Sequence, residues 1–572
     1  MLTRPLRFAI ALTLAVLCTP LLAHVRGDRG GLAPDLPENV PGIDRPFPQD
    51  AEKFTFAIIG DKTGGGQRNW PIFDRAMDEV SRLRPDFAIM VGDLIQGYTE
   101  DMDTVATQWD EFAGHAERME VPFFFLPGNH DITNNAMYNY WEDNVGRTYY
   151  SFMYAGCHFI LLNTEEGWRA EGGTSFGPDQ MAWLEDAIGS RRDAKHTFVF
   201  MHRPAWFSGG AAGEYWETIE GWLAGLPYTV FAGHFHRLSY ERREDRPYYV
   251  LSATGAGLGP SQVLEYGSFH HYTTVTVDGD DVSIALIEPF SVHPHDIAPR
   301  EFREQANRAL SWSTDLPMAA DVGGGVARAT LTNTLDAPVE AHIEVTASRD
   351  SAWAANPVEV RLRARPGETA EQAFELLYDF AAVLPLPTYR YTLSYAGTTM
   401  REGSGQVTPA LTNIPEWTLA GPYDIGVDAN PNDDEVEAAI PAFANQLGPE
   451  DDEDASIDWV ASSSNEQGRV NLGAQFGDGP GIAYARVYIH SADARQVLAA
   501  VHADDMAKIL VGESEAVAHI GYGRDPSYVT LSLEAGWNRV LVKCGDFGGN
   551  WWLRLAVADG GGRLKFSAQP QE

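Results

Sequence analysis

Val121-Pro122-Phe123-Phe124-Phe125-Leu126 is a short apolar, aromatic run that stops abruptly at Pro127-Gly128-Asn129-His130-Asp131. A run of this length bounded by turn residues reads as a buried strand. The polar residues directly after it place an amide, an imidazole and a carboxylate at the C-terminal end of that strand. The same arrangement recurs on both sides. Phe54 to Ile59 ends in Gly60-Asp61, and Phe87 to Val91 ends in Gly92-Asp93, with Gly97 four residues on. Thr197 to Met201 ends in His202, and Tyr228 to Ala232 ends in Gly233-His234-Phe235-His236. Between the strands, Ile72, Phe73, Ala76, Met77, Val80 and Leu83 recur at helical spacing, as do Trp109, Phe112, Ala113 and Ala116. Alternating strands and helices predict parallel βαβ units. Tyr149 to Tyr154 and His158 to Asn163 read as a hairpin, so the expected fold is α/β with a mixed sheet.

In such a sheet the loops at the C-terminal strand ends converge, and ligands bind there. Asp61, Asp93, Asn129, His202 and His234 would therefore meet at one rim. Carboxylate, amide and imidazole donors around one point suit Zn, Mn or Fe better than Ca. Helix capping alone would not call for donors of this kind at five strand ends.

This ordered set, with Gly-Asn-His-Asp and Gly-His-x-His each following a strand, resembles the calcineurin-like metallophosphoesterase family over about residues 54 to 290. The resemblance implies that Asp93 bridges two metals. Asn129, His202 and His234 would complete one site, and Asp61 and His236 would serve the other. His130 would act at the leaving-group oxygen or on phosphate charge, with Asp131 orienting its imidazole. One position departs from the family pattern. Where the first motif usually reads Asp-x-His, this chain has Asp61-Lys62-Thr63, and the tyrosine that purple acid phosphatases place three residues after the second aspartate is Gln96 here. Thr63, Gln96 and the pair His270-His271 are candidates to replace the missing ligand or to support the site from behind it. Lys62 reads equally as a charge offered to phosphate or as a solvated surface lysine.

The chain has 572 residues, enough for two to four domains, with 42 basic and 80 acidic residues for a net charge of −38. That charge argues against coating nucleic acid or anionic membrane, while a phosphorylated small molecule or phosphodiester remains compatible with a metal that brings its own positive charge. Arg4 and Arg7, the apolar run Phe8 to Leu17, and small residues such as Ala23 read as a removable signal, hence a secreted or periplasmic protein. No later segment is apolar and long enough to cross a membrane as a helix. Cys157 and Cys544 would remain after processing and imply no disulfide framework.

From about residue 322 the apolar pattern has period two, which predicts β-sandwiches. The expected organisation is a signal peptide (1–23), a linker (24–50), the phosphoesterase domain (51–295), a linker with some helical character (296–321), a β-sandwich (322–410) and a second sandwich (411–572). The last unit is faintly similar to jelly-roll modules of secreted carbohydrate-active enzymes, through Ala485-Arg486-Val487-Tyr488-Ile489 and Ala535-Gly536-Trp537-Asn538. Trp551 and Trp552 could stack on a sugar, although buried aromatics are the commoner use. Glu450-Asp451-Asp452-Glu453-Asp454 reads as a solvated acidic loop, because it lacks the spaced ligands of a calcium loop. His115 reads as a surface helix residue, and His293 and His295 as linker residues. The expected function is metal-dependent phosphoester hydrolysis. The alternative is a multidomain protein impaired in catalysis that binds metal, carbohydrate or a surface.

Overall fold

The computed structural model describes residues 35–570 except 49–52, 65–68, 167–175, 209, 289–290, 319–322, 348–352, 381–382, 427–442, 444–445, 451–456, 478–479, 513, 521–525, 548–550 and 560–561. The signal expected at 1–23 and the acidic residues Asp451 to Asp454 lie outside the described residues. The chain divides into two compact units, one formed by residues 1–307 with 398–401 and the other by 308–397 with 402–572.

The first unit contains two sheets. One runs in the order β1 (Gly42–Ile43), β4 (Phe123–Phe125), β3 (Phe87–Met90), β2 (Lys53–Ile59), β11 (Tyr272–Asp278), β12 (Asp281–Glu288), β13 (Ser291–His293). The other runs β5 (Tyr150–Tyr154), β6 (Cys157–Leu161), β7 (Thr197–Phe200), β8 (Tyr228–Ala232), β10 (Arg246–Val250), β9 (Ser239–Arg243). Strands β2, β3 and β4 are parallel, as are β6, β7, β8 and β10. The expected hairpin is the antiparallel pair β5–β6.

The period of two in each strand sorts its side chains between two cores. Phe54, Phe56 and Ile58 of β2, Phe87 and Ile89 of β3, and Phe198 and Phe200 of β7 meet in an aromatic core between the sheets. Phe56 stacks on Phe87 at 5.5 Å and meets Phe159 edge-on at 5.2 Å. Ala57, Ile59, Ala88 and Met90 face the other way, toward α1 (Trp70–Leu83), α2 (Met102–Ala116) and α3 (Asn135–Asn144). Val199, Val230 and Ala232 pack with residues of α4 (Pro178–Gly189) and α5 (Gly210–Leu223). Strands buried on both faces have no polar alternation, which is why they read as continuous apolar runs. Truncating a ring such as Phe56 to alanine would cost about 3–5 kcal/mol.

Two expected linkers carry structure. Val40, Ile43 and Phe47 are buried, and β1 pairs with Phe123 and Phe124. Residues 300–308 form α6 (Arg300–Arg308), and β14 (Leu310–Asp315) already belongs to the sheets of the second unit. Its alternate residues pack while the others stay exposed, a pattern too short to stand out in sequence.

The second unit is mostly strands in antiparallel sheets. One pair of sheets is β14, β15 (Gly324–Thr332), β19 (Thr369–Tyr378), β17 (Trp353–Asn356), and β18 (Glu359–Ala364), β16 (Val339–Thr346), β20 (Thr388–Tyr395), β21 (Thr398–Gln406). Farther on, β26 (Gly481–Ser491) pairs with β31 (Gly536–Asp546) along its full length. Val487 and Ile489 of β26 share a core with Val501 of β27 (Arg495–Ala503) and Leu553 and Leu555 of β32 (Trp552–Val557). Trp551 is buried in that core, whereas Trp552 is half-buried beneath the Arg469 guanidinium, 4.0 Å from its ring. Glu450 is not solvated. Its side chain is 7% exposed, accepts from the Tyr484 hydroxyl at 2.6 Å and pairs with the fully buried Lys543 ammonium at 3.1 Å. Among the described residues, no helix is long and apolar enough to cross a membrane.

Candidate metal centre

The five strand-end loops of the first unit come together. Donor atoms of Asp93, His202 and His234 lie within 4.8 Å of one another, and so do those of Asp61, Asp93 and His236. Asp93 belongs to both groups. His202 Nε2 is 3.2 Å from Asp93 Oδ1 and 3.0 Å from Asn129 Oδ1, and His234 Nδ1 is 3.2 Å from His202 Nε2. On the other side, His236 Nε2 is 3.3 Å from Asp61 Oδ2.

The backbone holds these donors in place. The carbonyl of Asp61 accepts from the N–H groups of Thr254, Gly255 and Ala256, and the carbonyl of Asp93 accepts from Lys62 and Thr63. A Cβ at Gly128 would collide with Asp93 Oδ1, and one at Gly233 with Asp61 Oδ1, so both carboxylates lie directly on glycine backbone. Asp93, His234 and His236 have φ of 57°, 75° and 50°, a region that side-chain-bearing residues seldom occupy and that collects at functional sites. Second partners fix the imidazoles. His202 Nδ1 donates to Val91 O at 2.9 Å and His236 Nδ1 to Gly257 O at 3.0 Å, which turns Nε2 of each ring toward the carboxylates. The buried Asp61 Oδ1 accepts no hydrogen bond. A divalent cation fits this donor set: it would satisfy that oxygen and be shared through Asp93, whose two oxygens can each serve one ion.

Residues 54–238 match the calcineurin-like phosphoesterase family. This stretch is a calcineurin-like phosphoesterase domain. The chain is 24% identical over 228 residues to the serine/threonine-protein phosphatase CPPED1 of Bos taurus, covering 35% of this chain and 70% of the relative. It is 24% identical over 202 residues to a probable cyclic nucleotide phosphodiesterase of Fibrobacter succinogenes, covering 33% of this chain and 72% of that protein. A dimetal phosphatase structure from Danio rerio aligns at 15% identity with a TM-score of 0.33, over 41% of this chain and 95% of that one. With its donor set, the phosphoesterase domain makes the chain a metal-dependent phosphoric ester hydrolase.

Electrostatics in the domain follow from burial and pairing. Burial alone would lower the His202 imidazole, but the charge and hydrogen bond of Asp93 overcome it and raise the pKa to about 10. Burial raises Asp93, and His202 together with His130 more than reverses that. His234 is pushed down to about 3 by burial and by the neighbouring His202 and Arg203, so it is neutral.

The replacements considered for the first-motif histidine lie elsewhere. The Thr63 hydroxyl donates to Ile95 O at 2.5 Å, tying the Asp61 loop to the Asp93 loop. The Gln96 side chain is exposed, and its contact with the site is a backbone carbonyl that accepts from His130 Nδ1 at 2.7 Å. His271 is fully buried and accepts from Ser252 N, while His270 donates to Ala256 O. Asp131 does not touch the His130 ring. Its carboxylate accepts from the N–H groups of Leu94, Ile95 and Gly128, so it clamps two loops, and Gln96 O orients the imidazole instead. Burial, then Asp93, raises the Asp131 carboxyl to about 8 against the opposing pull of the Gly128 and Ile95 N–H groups and the His202 charge. Lys62 is not on the surface. It is 5% exposed, with its ammonium 3.8 Å from the centre of the Trp70 ring, and burial lowers it to about 8. His115 stacks on that same Trp70 at 3.8 Å and bonds Asp74. His293 and His295 are held by Glu288 and Tyr249.

Three further residues stand at the site that the motifs did not single out. Arg203, 27% exposed, donates through Nη1 to His234 Nε2 at 3.0 Å and through Nε to the buried Glu165 at 2.8 Å. The hydroxyl of Tyr98 meets the amide of Asn129. Glu165 follows another strand end, β6, which was the available clue.

Proposed function

We propose that this phosphoesterase works outside the cytoplasm, hydrolysing phosphate mono- or diesters with Mn, Zn or Fe held in two unequal sites. The observation that carries this reading is the pair of donor clusters sharing Asp93. When bound, the cations would lower the pKa of a water and neutralise phosphate charge. Asp93 would serve both. Asn129, His202 and His234 would hold one cation, and Asp61 and His236 the other. His130, pinned through Nδ1, has Nε2 left to protonate the departing alkoxide. The relatives' names, a protein phosphatase and a cyclic nucleotide phosphodiesterase, agree in phosphate and differ in what it is attached to. The test is a panel of mono- and diesters with added metals. Hydrolysis abolished by chelator and by Asp93→Asn supports the proposal, and a rate indifferent to both defeats it.

The Arg4-Arg7 segment and the apolar run after it support export, and N-terminal sequencing of the mature protein would reveal cleavage near Ala23. The paired sheets of the second unit support two accessory β-sandwich modules, with the half-buried Trp552 as the place for a glycan contact. One observation favours the rival reading of a binding protein that has lost catalysis: among the described residues, the Asp61 and His236 site lacks a third ligand of its own. Elemental analysis separates the two. About two metals per chain indicate the hydrolase, and none after reconstitution indicates the rival.

A further inference from the structure

The turn Gln96-Gly97-Tyr98 is seated on the segment Asn129 to Asn134 by side chains and backbone together. Gln96 O accepts from His130 Nδ1 at 2.7 Å, Tyr98 N donates to Thr133 Oγ1 at 3.3 Å, and Asn134 Nδ2 donates to Thr99 O at 3.1 Å. A Cβ at Gly97 would overlap the carbonyl oxygen of His130, so the two backbones are in direct contact. Gly97 and Tyr98 both sit in the left-handed region, at φ 59° and 52°. An aromatic residue in that region is unusual and points to a local task. Tyr98 is 58% exposed, so core packing does not explain it. Its hydroxyl accepts from Asn129 Nδ2 at 2.8 Å, and its ring meets the His130 ring edge-on at 4.7 Å.

We propose that Tyr98 is a positioning residue that holds the Asn129 carboxamide with Oδ1 turned to the metal centre. This rests on the reading of Asn129 as a ligand. The carboxamide has two ends. With Oδ1 facing His202, the NH2 end needs an acceptor, and the Tyr98 hydroxyl is the acceptor in place. Hydrogen-bond partners of metal ligands typically govern affinity by about 10–100-fold.

The test uses the full chain and manganese(II), with free ion followed by electron paramagnetic resonance. Tyr98→Phe keeps the ring and removes the hydroxyl. It is expected to weaken manganese binding at the tighter site roughly tenfold with an unchanged melting temperature. In an Asn129→Ala background the same change should have no further effect, because the hydroxyl reaches the metal only through Asn129. Equal affinity of wild type and Tyr98→Phe overturns the assignment of Tyr98 alone. An equal loss in both backgrounds also overturns it, since that would be a structural effect independent of Asn129. A wild-type chain that binds no manganese, zinc or iron brings down the metal centre itself and this inference with it.

Discussion

Buried charge is handled differently at the metal centre of the phosphoesterase unit and at Glu450 in the strand-rich unit. In the phosphoesterase unit, Asp61 Oδ1 is buried without a partner, and imidazoles crowd around carboxylates at strained backbone positions. In the strand-rich unit, the two charges of one buried pair are matched to each other. The Lys543 ammonium meets Glu450, which also accepts from Tyr484. Among the described residues, both groups of donors able to hold a metal lie in the first unit. Topology accounts for the contrast. Parallel strands point their C-terminal ends one way and gather loops at one edge, whereas antiparallel strands alternate and disperse theirs. Charge gathered at an edge awaits a ligand, and charge matched inside a fold serves stability.

Each of the following experiments strains that contrast. The largest effect is expected for Asp93→Ala, which removes the oxygens common to both donor groups. Activity should fall on the order of a thousandfold or more, the scale of several kcal/mol of lost charge stabilisation, and both cations should be absent by elemental analysis. Retention of either cation would show that the sites do not share Asp93.

His130→Ala should slow hydrolysis about 10²–10⁴-fold for esters of poor leaving groups and much less for nitrophenyl esters, with metal content unchanged. A loss independent of the leaving group would remove His130 from proton transfer.

The two sites should separate next. His234→Ala should abolish tight binding, whereas His236→Ala should raise the metal concentration needed for half-maximal activity about 10–100-fold. Two equal, simultaneous sites in an isothermal titration would mean that the ligand set is incomplete.

A proton gives a smaller and graded effect. With a pKa near 10, metal-free His202 carries a proton at neutral pH, held by Asp93. A cation must displace it, so affinity should rise about tenfold per pH unit up to about pH 10. Calorimetry in two buffers of different ionisation enthalpy should record about one proton released per tight-site cation. The same pKa lies above the ordinary 6.5, so this proton stabilises the metal-free fold. That contribution is full below about pH 6.5 and lost as pH rises through about 10. A metal affinity flat from pH 6 to 9 would contradict the pairing.

The smallest effect on catalysis belongs to the other unit. Glu450→Ala removes the buried carboxylate that accepts from Lys543 and Tyr484 and should destabilise the strand-rich unit by about 3–5 kcal/mol, lowering its melting temperature. At a temperature where the protein stays folded, kcat should be unchanged. A proportional fall in kcat would show that the second unit takes part in the chemistry.

Sequence by itself determined the donors. Asp61, Asp93, Asn129, His202, His234 and His236 were each visible because every one follows a buried strand or the turn after it, and strand ends can be read from apolar runs a few residues long. It also determined the hairpin β5–β6 and the strand-rich texture after residue 322. Tertiary structure alone decided contacts between loops distant in sequence. It put Gln96 O and not Asp131 on the His130 ring, buried Lys62 against Trp70, placed Tyr98 on Asn129 and Arg203 between His234 and Glu165, and drew Glu450 out of an acidic run into a buried pair. Periodicity reports which residues a strand or helix buries. It carries no information about which loop a polar side chain will meet, because that partner is set by how the strands are ordered in the sheet.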